Sequence, residues 1–350
     1  MFVFFLAGLG SIAIAPPVSS GQNRNSMPKP IVVVGSINLD LVAGADRIPQ
    51  LGEIIIGDSF RTFCGGKGAN QAVAAARLGY PVAMVGNAGS DFGAQLRNGL
   101  NDAGVDTTYV NTVEGPSGVA LIATGRRGEN SIVVVPGANH HLTPRLLEKA
   151  APVLGRAAFL LAQLEIPFDT VDYLAQFAER NHIPFMLDPA PARELSLALL
   201  RRVLWITPNQ TEARELLRTY IGDGGHDSYA VADRLLARGI NNLVLKLGSR
   251  GCLVAEGNLP KEHVPAFPVK AVDPTAAGDA FNAGFAVGLL RGYTTVRSAI
   301  FASAVAAISV TRPGAQPSMP TGDEVDCFLE QHSVAVTSPA SWFTLHFGTA

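Results

Sequence analysis

Ile31-Val32-Val33-Val34 is a run of four β-branched residues closed by Gly35. In a strand, successive side chains point to opposite faces. A run that is apolar at every position therefore asks to be buried on both faces, as in a parallel sheet sandwiched between helices. The pattern recurs at Val82-Ala83-Met84-Val85, Ala158 to Leu164, Phe185-Met186-Leu187, Val203 to Ile206 and Leu243 to Leu247. Helix-like segments lie between them: Gly68 to Leu78, Phe92 to Ala103, Thr170 to Asn181, Thr211 to Leu217 and Tyr229 to Arg238. This alternation predicts βαβ units and a layered α/β fold. Two stretches break the rhythm, Leu41 to Phe63 and Gly118 to Val135, the second with a turn at Gly125-Arg126-Arg127-Gly128. They read as antiparallel strands of a small separate sheet.

Composition narrows the function. Lys plus Arg number 27 against 29 Asp plus Glu, a net charge of −2. That balance argues against a nucleic-acid binder living on phosphate attraction. Cys64, Cys252 and Cys327 are scattered, with no zinc spacing and no disulfide framework, which fits a reducing, cytoplasmic setting. The seven histidines show no metal spacing either.

The apolar stretch Phe2 to Ala15 is too short to span a membrane, which takes about 18 residues. It could be a signal-peptide core, but no Lys or Arg precedes it. Residues 1–30 read as a non-core extension with a Pro/Ser/Gly linker and Met27 as an alternative start. The domain runs from 31 to 332, and 333–350, which carries no charged side chain, reads as a tail.

Four glycine or turn motifs could carry chemistry. Gly65-Gly66-Lys67-Gly68-Ala69-Asn70 opens a helix, with a Lys and an Asn able to face one polar ligand. It is not a P-loop, because Gly68 stands where Ser or Thr should be. The plain alternative is a helix-capping turn. Asp273-Pro274-Thr275-Ala276-Ala277-Gly278-Asp279 precedes a buried-looking helix whose free N–H groups, from Ala276 to Gly278, make an anion site. Asp279 is then either a proton acceptor or a cap. Leu247-Gly248-Ser249-Arg250-Gly251 reads as a ligand loop or a hairpin turn. Asn209 and Glu212, three apart, fit a capping box or a water-mediated hold on Mg²⁺–phosphate.

Taken in order, Gly35-Ser36-Ile37-Asn38-Leu39-Asp40, Gly65 to Ala72, Asn209-Gln210-Thr211-Glu212 and Ala276-Ala277-Gly278-Asp279 resemble the ribokinase family of sugar kinases. Gln163-Leu164-Glu165, Asp188 to Arg193 and Gly314 to Ser318 add to the likeness, which covers roughly Ile31 to Glu330. The resemblance implies a three-layer α/β fold with a central, mostly parallel sheet and a small β-sheet lid that often makes a homodimer. It implies that Asn38 and Asp40, at the end of the first strand, bind a sugar together with Gly66, Lys67, Asn70 and Glu165. Asn209, the segment Lys246-Leu247-Gly248-Ser249-Arg250-Gly251, Gly278 and Ser303 would line an ATP site, and Asp279 would be the base. It implies Mg²⁺, held through water with help from Glu212, and K⁺ as activator near Asp273, Thr275, Ser309, Arg312, Gly314 and Ser318; the alternative is that Asp273, read as a buried carboxylate in need of a partner, pairs with Arg312 and no ion binds. The expected activity is transfer of phosphate from ATP to O5 of D-ribose. The competing readings are a kinase of 2-deoxyribose, fructose or adenosine, or a sugar sensor without catalysis.

Overall fold

The computed structural model of the chain describes residues 28–126, 129–217 and 227–332. The expected extension up to residue 27, the tail 333–350 and Arg127-Gly128 of the lid turn lie outside the described residues.

The strands in chain order are β1 Ile31–Val34, β2 Asn38–Ala45, β3 Ser59–Gly65, β4 Val82–Gly89, β5 Val105–Val113, β6 Gly118–Gly125, β7 Asn130–Val135, β8 Phe159–Ala162, β9 Phe185–Leu187, β10 Trp205–Ile206, β11 Asn242–Lys246, β12 Cys252–Glu256 and β13 Glu262–Val264. Nine form one sheet in the order β13-β12-β11-β10-β9-β8-β1-β4-β5. From β11 to β5 neighbouring strands are parallel, and β12 and β13 add an antiparallel edge.

The strand β1 shows why the apolar runs were informative. Its four residues are fully buried, with Ile31 and Val33 in one core and Val32 and Val34 in the other. The first core packs the helices Lys67–Arg77, Ala277–Leu290 and Thr295–Ser309 against the sheet. The second packs Phe168–Arg180, Leu197–Arg202, Gln210–Leu217 and Ser228–Ala237. Two cores on the two faces of one sheet make the three layers.

The small sheet has the order β3-β2-β6-β7. β2–β3 and β6–β7 are antiparallel, as expected, but the central pair β2–β6 is parallel. Each hairpin fixes only its own pair. β2 leaves β1 and β6 leaves β5 from the same end of the parallel large sheet, so they run side by side.

Strand order reverses at β1: the chain moves out through β4 to β5, then returns to β8 on β1's other side. In open α/β sheets ligands bind at such a switch point, beyond the carboxyl ends of the strands. The segments following β1 and β8 carry Ser36 and Glu165. Among the described residues, no helix is long and apolar enough to cross a membrane.

Candidate active site

Ser36 Oγ donates to Glu165 Oε2 at 2.6 Å, spanning the switch point. The Lys67 amide donates to the same oxygen at 3.2 Å. These bonds require the helix Lys67–Arg77 to start close against the end of β1. Gly66 (φ +90°) and Gly68 permit it, since a Cβ on Gly68 would lie 2.7 Å from Gly35 Cα. Gly66 is the N-cap and uses no side chain, so the motif caps the helix and brings Lys67 in together.

Asn38 and Asp40 belong to β2, the lid strand itself, rather than to the end of β1 as expected. Asn38 Oδ1 accepts from Asn139 Nδ2 at 2.7 Å, and Asn139 Oδ1 accepts from the Ile37 amide at 2.9 Å. Asn139, buried in the short 3₁₀ turn Gly137–His141, thus sets the Asn38 amide with its NH₂ end away from Asn139. No spacing in the sequence pointed to it.

Asp40 is buried against Gly65, where any Cβ would strike its carboxylate. Burial, with Glu165 and Asp279 nearby, pushes its carboxyl up to about 7. The folded state therefore takes up a proton between pH ~4 and ~7, and stability falls as pH rises through that window. A shift from 3.8 to about 7 corresponds to roughly 4 kcal/mol above pH 7. Asp40→Asn should thus unfold at a higher temperature than the parent at pH 8, with the gain vanishing near pH 4. An equal gain at both pH values would refute the buried-charge account.

Asp279 lies in the first turn of the helix Ala277–Leu290, whose N-cap is Ala276 in the left-handed region (φ 59°) with no side-chain cap. The capping alternative for Asp279 does not hold. Its carboxylate turns away from the helix, accepting from Asn70 Nδ2 at 3.0 Å and Gln71 Nε2 at 3.2 Å. Burial pushes the carboxyl up and Asp188 adds to this, while Lys67 and the two amides pull it down; the net shift is upward. Asn70 Oδ1 is a buried acceptor with no partner, so it is ready for a hydroxyl.

The anion cradle differs from expectation in one amide. The Ala277 N–H is used by Pro274 O at 3.2 Å. The amides of Gly278 and Asp279, also in the first turn, have no intrahelical acceptor and form the cradle. Lys246 Nζ lies 3.4 Å from where a Gly278 Cβ would stand, above that turn. It pairs with buried Asp188 at 3.0 Å.

Lys67 faces four carboxylates. Burial disfavours its charge, but Asp279, Asp188, Glu165 and Glu212 outweigh that and hold the ammonium well above its ordinary range. It therefore links Glu165, beyond β8, with Asp279, Asp188 and Glu212.

Asn209 and Glu212 form a reciprocal cap: Glu212 N donates to Asn209 Oδ1 at 2.9 Å, and Asn209 N to Glu212 Oε2 at 2.7 Å. Asn209 also bridges to Lys246 across the sheet. Burial and Asp188 raise the Glu212 carboxyl despite Lys246 and Lys67.

Leu247–Gly251 is the hairpin turn between β11 and β12. Gly251 (φ +89°) is the one residue that fits there, since a Cβ would lie 2.0 Å from Val264 O. Gly248, Ser249 and Arg250 are exposed at the same sheet end. Ser303 is buried in the helix Thr295–Ser309 and bonded to the thiol of Cys252, the residue directly after the Leu247–Gly251 turn.

The expected cation residues converge in part. Asp273 accepts from the amides of Thr275 (2.9 Å) and Gly314 (2.8 Å). Ser309 Oγ and Ser318 Oγ are 2.8 Å apart and buried. Arg312 does not pair with Asp273, the alternative to a bound ion; it pairs with Glu324 at 2.6 Å. Asp273 is only half-buried, not the buried carboxylate the sequence suggested.

A buried carboxylate beside an open helix N-terminus, with two ammonium groups and a polar cluster at a switch point, is the arrangement a phosphotransferase needs. The pfkB family carbohydrate kinase model matches residues 29–322, and the chain belongs to that family. It is 40% identical to a ribokinase of Haemophilus influenzae over 306 residues, covering 87% of this chain and 99% of that protein. It is 37% identical to a deoxyribokinase of Salmonella typhi over 303 residues, 85% of this chain and 98% of that protein. The structure of Arabidopsis thaliana ribokinase complexed with ribose and ATP aligns with a TM-score of 0.80 at 32% identity, covering 87% of this chain and 99% of that one.

Proposed function

We propose that the chain phosphorylates D-ribose at O5 with ATP, giving ribose 5-phosphate. The observation that carries this reading is Asp279: both its oxygens are anchored by Asn70 and Gln71, beside the open amides of Gly278 and Asp279. The sugar's primary hydroxyl approaches Asp279, which takes its proton as the phosphoryl group arrives. The two amides hold the oxygens of the transferring group. Lys246 and Lys67 offset the charge that develops there. Phosphoryl transfer asks for little more than this positioning and charge stabilisation. Asn38, Asp40, Glu165 and the free Asn70 Oδ1 suit a ligand with several hydroxyls rather than a flat base. The hydroxyl-rich set supports ribose over 2-deoxyribose, because a site built to bind a hydroxyl rejects an analogue lacking it.

Mg²⁺, when bound with ATP, supplies charge neutralisation at the phosphates. The facing acids Asp188 and Glu212 suit it; both Glu212 oxygens already accept from Asn209, so a water-mediated hold keeps the cap intact. A monovalent cation near Asp273, Ser309, Gly314 and Ser318 would brace the turn that leads into Ala276. The free thiols of Cys64, Cys252 and Cys327 suit the cytoplasm. A homodimer through the lid is supported by β7, where Ile132, Val133, Val134 and Val135 are all exposed on an edge strand. Sedimentation equilibrium at twice the chain mass would bear this out, and a monomer at micromolar concentration would refute it.

ADP release decides the substrate. Ribose should exceed 2-deoxyribose, fructose and adenosine in kcat/KM, and choline chloride should turn over more slowly than potassium chloride at equal ionic strength. A preference for 2-deoxyribose would move the chain to the deoxyribokinase reading. Equal rates in the two salts would remove the cation.

A further inference from the structure

A chain of buried amides runs behind Asp279. Gln163 and Gln71 are 0% and 1% exposed. Gln163 Nε2 donates to Gln71 Oε1 at 2.7 Å. That bond consumes the oxygen end of Gln71, so its NH₂ end must face the acids. Gln71 Nε2 donates to Asp279 Oδ1 at 3.2 Å and to Asp188 Oδ2 at 3.3 Å. Asp188 Oδ1 in turn accepts from Lys246 Nζ at 3.0 Å.

Stability gives little reason for this arrangement. Gln163 Oε1 is buried without a partner, which costs about 1–3 kcal/mol. Room for it exists because residue 35 is glycine: a Cβ there would lie 2.1 Å from that oxygen. A methionine pair would fill similar space with fewer buried polar atoms. What the amides provide is geometry. Asp188 and Asp279 repel each other, and one NH₂ group with two hydrogens bridges them. With Asn70 on Oδ2 and Gln71 on Oδ1, the Asp279 carboxylate cannot rotate without breaking a bond.

We propose that Gln71, oriented by Gln163, is a positioning residue for phosphoryl transfer, locking the Asp279 carboxylate in place and tying it through Asp188 to the Lys246 ammonium above the cradle. The proposal rests on the reading of Asp279 as base. The groups facing Asp279 are Lys67, Asn70 and Gln71 on the helix Lys67–Arg77, Asp40 on β2 and Asp188 beyond β9. Gln71 is one of the neighbours that favour the charged carboxylate, so its loss makes the base harder to ionise.

Two variants of the full chain test this. In Gln71→Met with Gln163→Met, both amides leave together, so neither is stranded without the other, and Asp279 Oδ1 and Asp188 Oδ2 lose their shared donor. Gln71→Glu keeps the volume and an acceptor for Gln163 but sets a third acid beside Asp188 and Asp279. In both, kcat should fall about 10–100-fold while KM for ribose and ATP stays within about threefold. The acid limb of the kcat–pH profile should move up by about half a unit or more, further in Gln71→Glu. An unmoved limb overturns the proposal, whether kcat is unchanged or falls with a raised KM. If the double variant shows no cooperative unfolding transition, Gln71→Glu decides alone. Asp279→Asn run in parallel separates the two levels. Turnover surviving in it would remove the base reading; an inactive Asp279→Asn beside parent-like Gln71 variants would remove only the positioning role.

Discussion

Asp279→Asn should lower turnover by about 10²–10⁴ while the protein stays folded. The carboxylate caps nothing, because the N-cap is Ala276 and no helix amide bonds to Asp279. The loss of about 1 kcal/mol that follows removal of a capping residue should therefore be absent. Replacing a buried carboxylate close to Asp188 with a neutral amide also relieves repulsion, so the thermal midpoint should hold or rise. The substitution sets an NH₂ group against the donors of Asn70 and Gln71, but that is confined to one turn. ATP binding, proposed to rest on the amides and lysines, should survive. Turnover within a few-fold of the parent would show that Asp279 does not take the proton.

Lys67→Met should lower kcat/KM by about 10²–10³. Lys67 is the cation shared by Asp279, Asp188, Glu165 and Glu212. Without it, the carboxylates of Asp279 and Glu212 become harder to ionise, and the phosphoryl group loses a positive neighbour. The acid limb of the rate profile should move upward as well. A drop of less than about tenfold, with an unmoved limb, would place Lys67 outside the reaction.

Much of the fold was legible because burial on both faces leaves a mark on every residue of β1 and its neighbours. Edges were less so: the run Val203 to Ile206 holds a strand of only two residues, Trp205–Ile206, since the same apolar letters also serve the preceding turn. The parallel pairing of β2 with β6 was not legible, because it follows from where two distant hairpins leave the large sheet. In the site, Lys67, Asn70, Asp279, Asn209 and Glu212 were legible from glycine and capping patterns, which are local. Asn139 was not, and Gln71 and Gln163 appeared only inside motifs without a role. Their partners lie 101, 208 and 92 residues away, and no local spacing records that. The Ala277 amide closes a turn onto Pro274 O because Ala276 adopts a left-handed conformation that a non-glycine residue does not advertise. Arg312 found Glu324 instead of Asp273 because Glu324 is fixed by the capping box with Thr321.

Phosphorus NMR of the products from ribose and ATP tests most directly whether Asp279 directs ATP's terminal phosphoryl group onto O5 of ribose. The expected result is a phosphomonoester signal split by the two C5 protons, growing in step with ADP and slowed about 10²–10⁴-fold in Asp279→Asn. A signal split by the single anomeric proton, or inorganic phosphate alone, would contradict it.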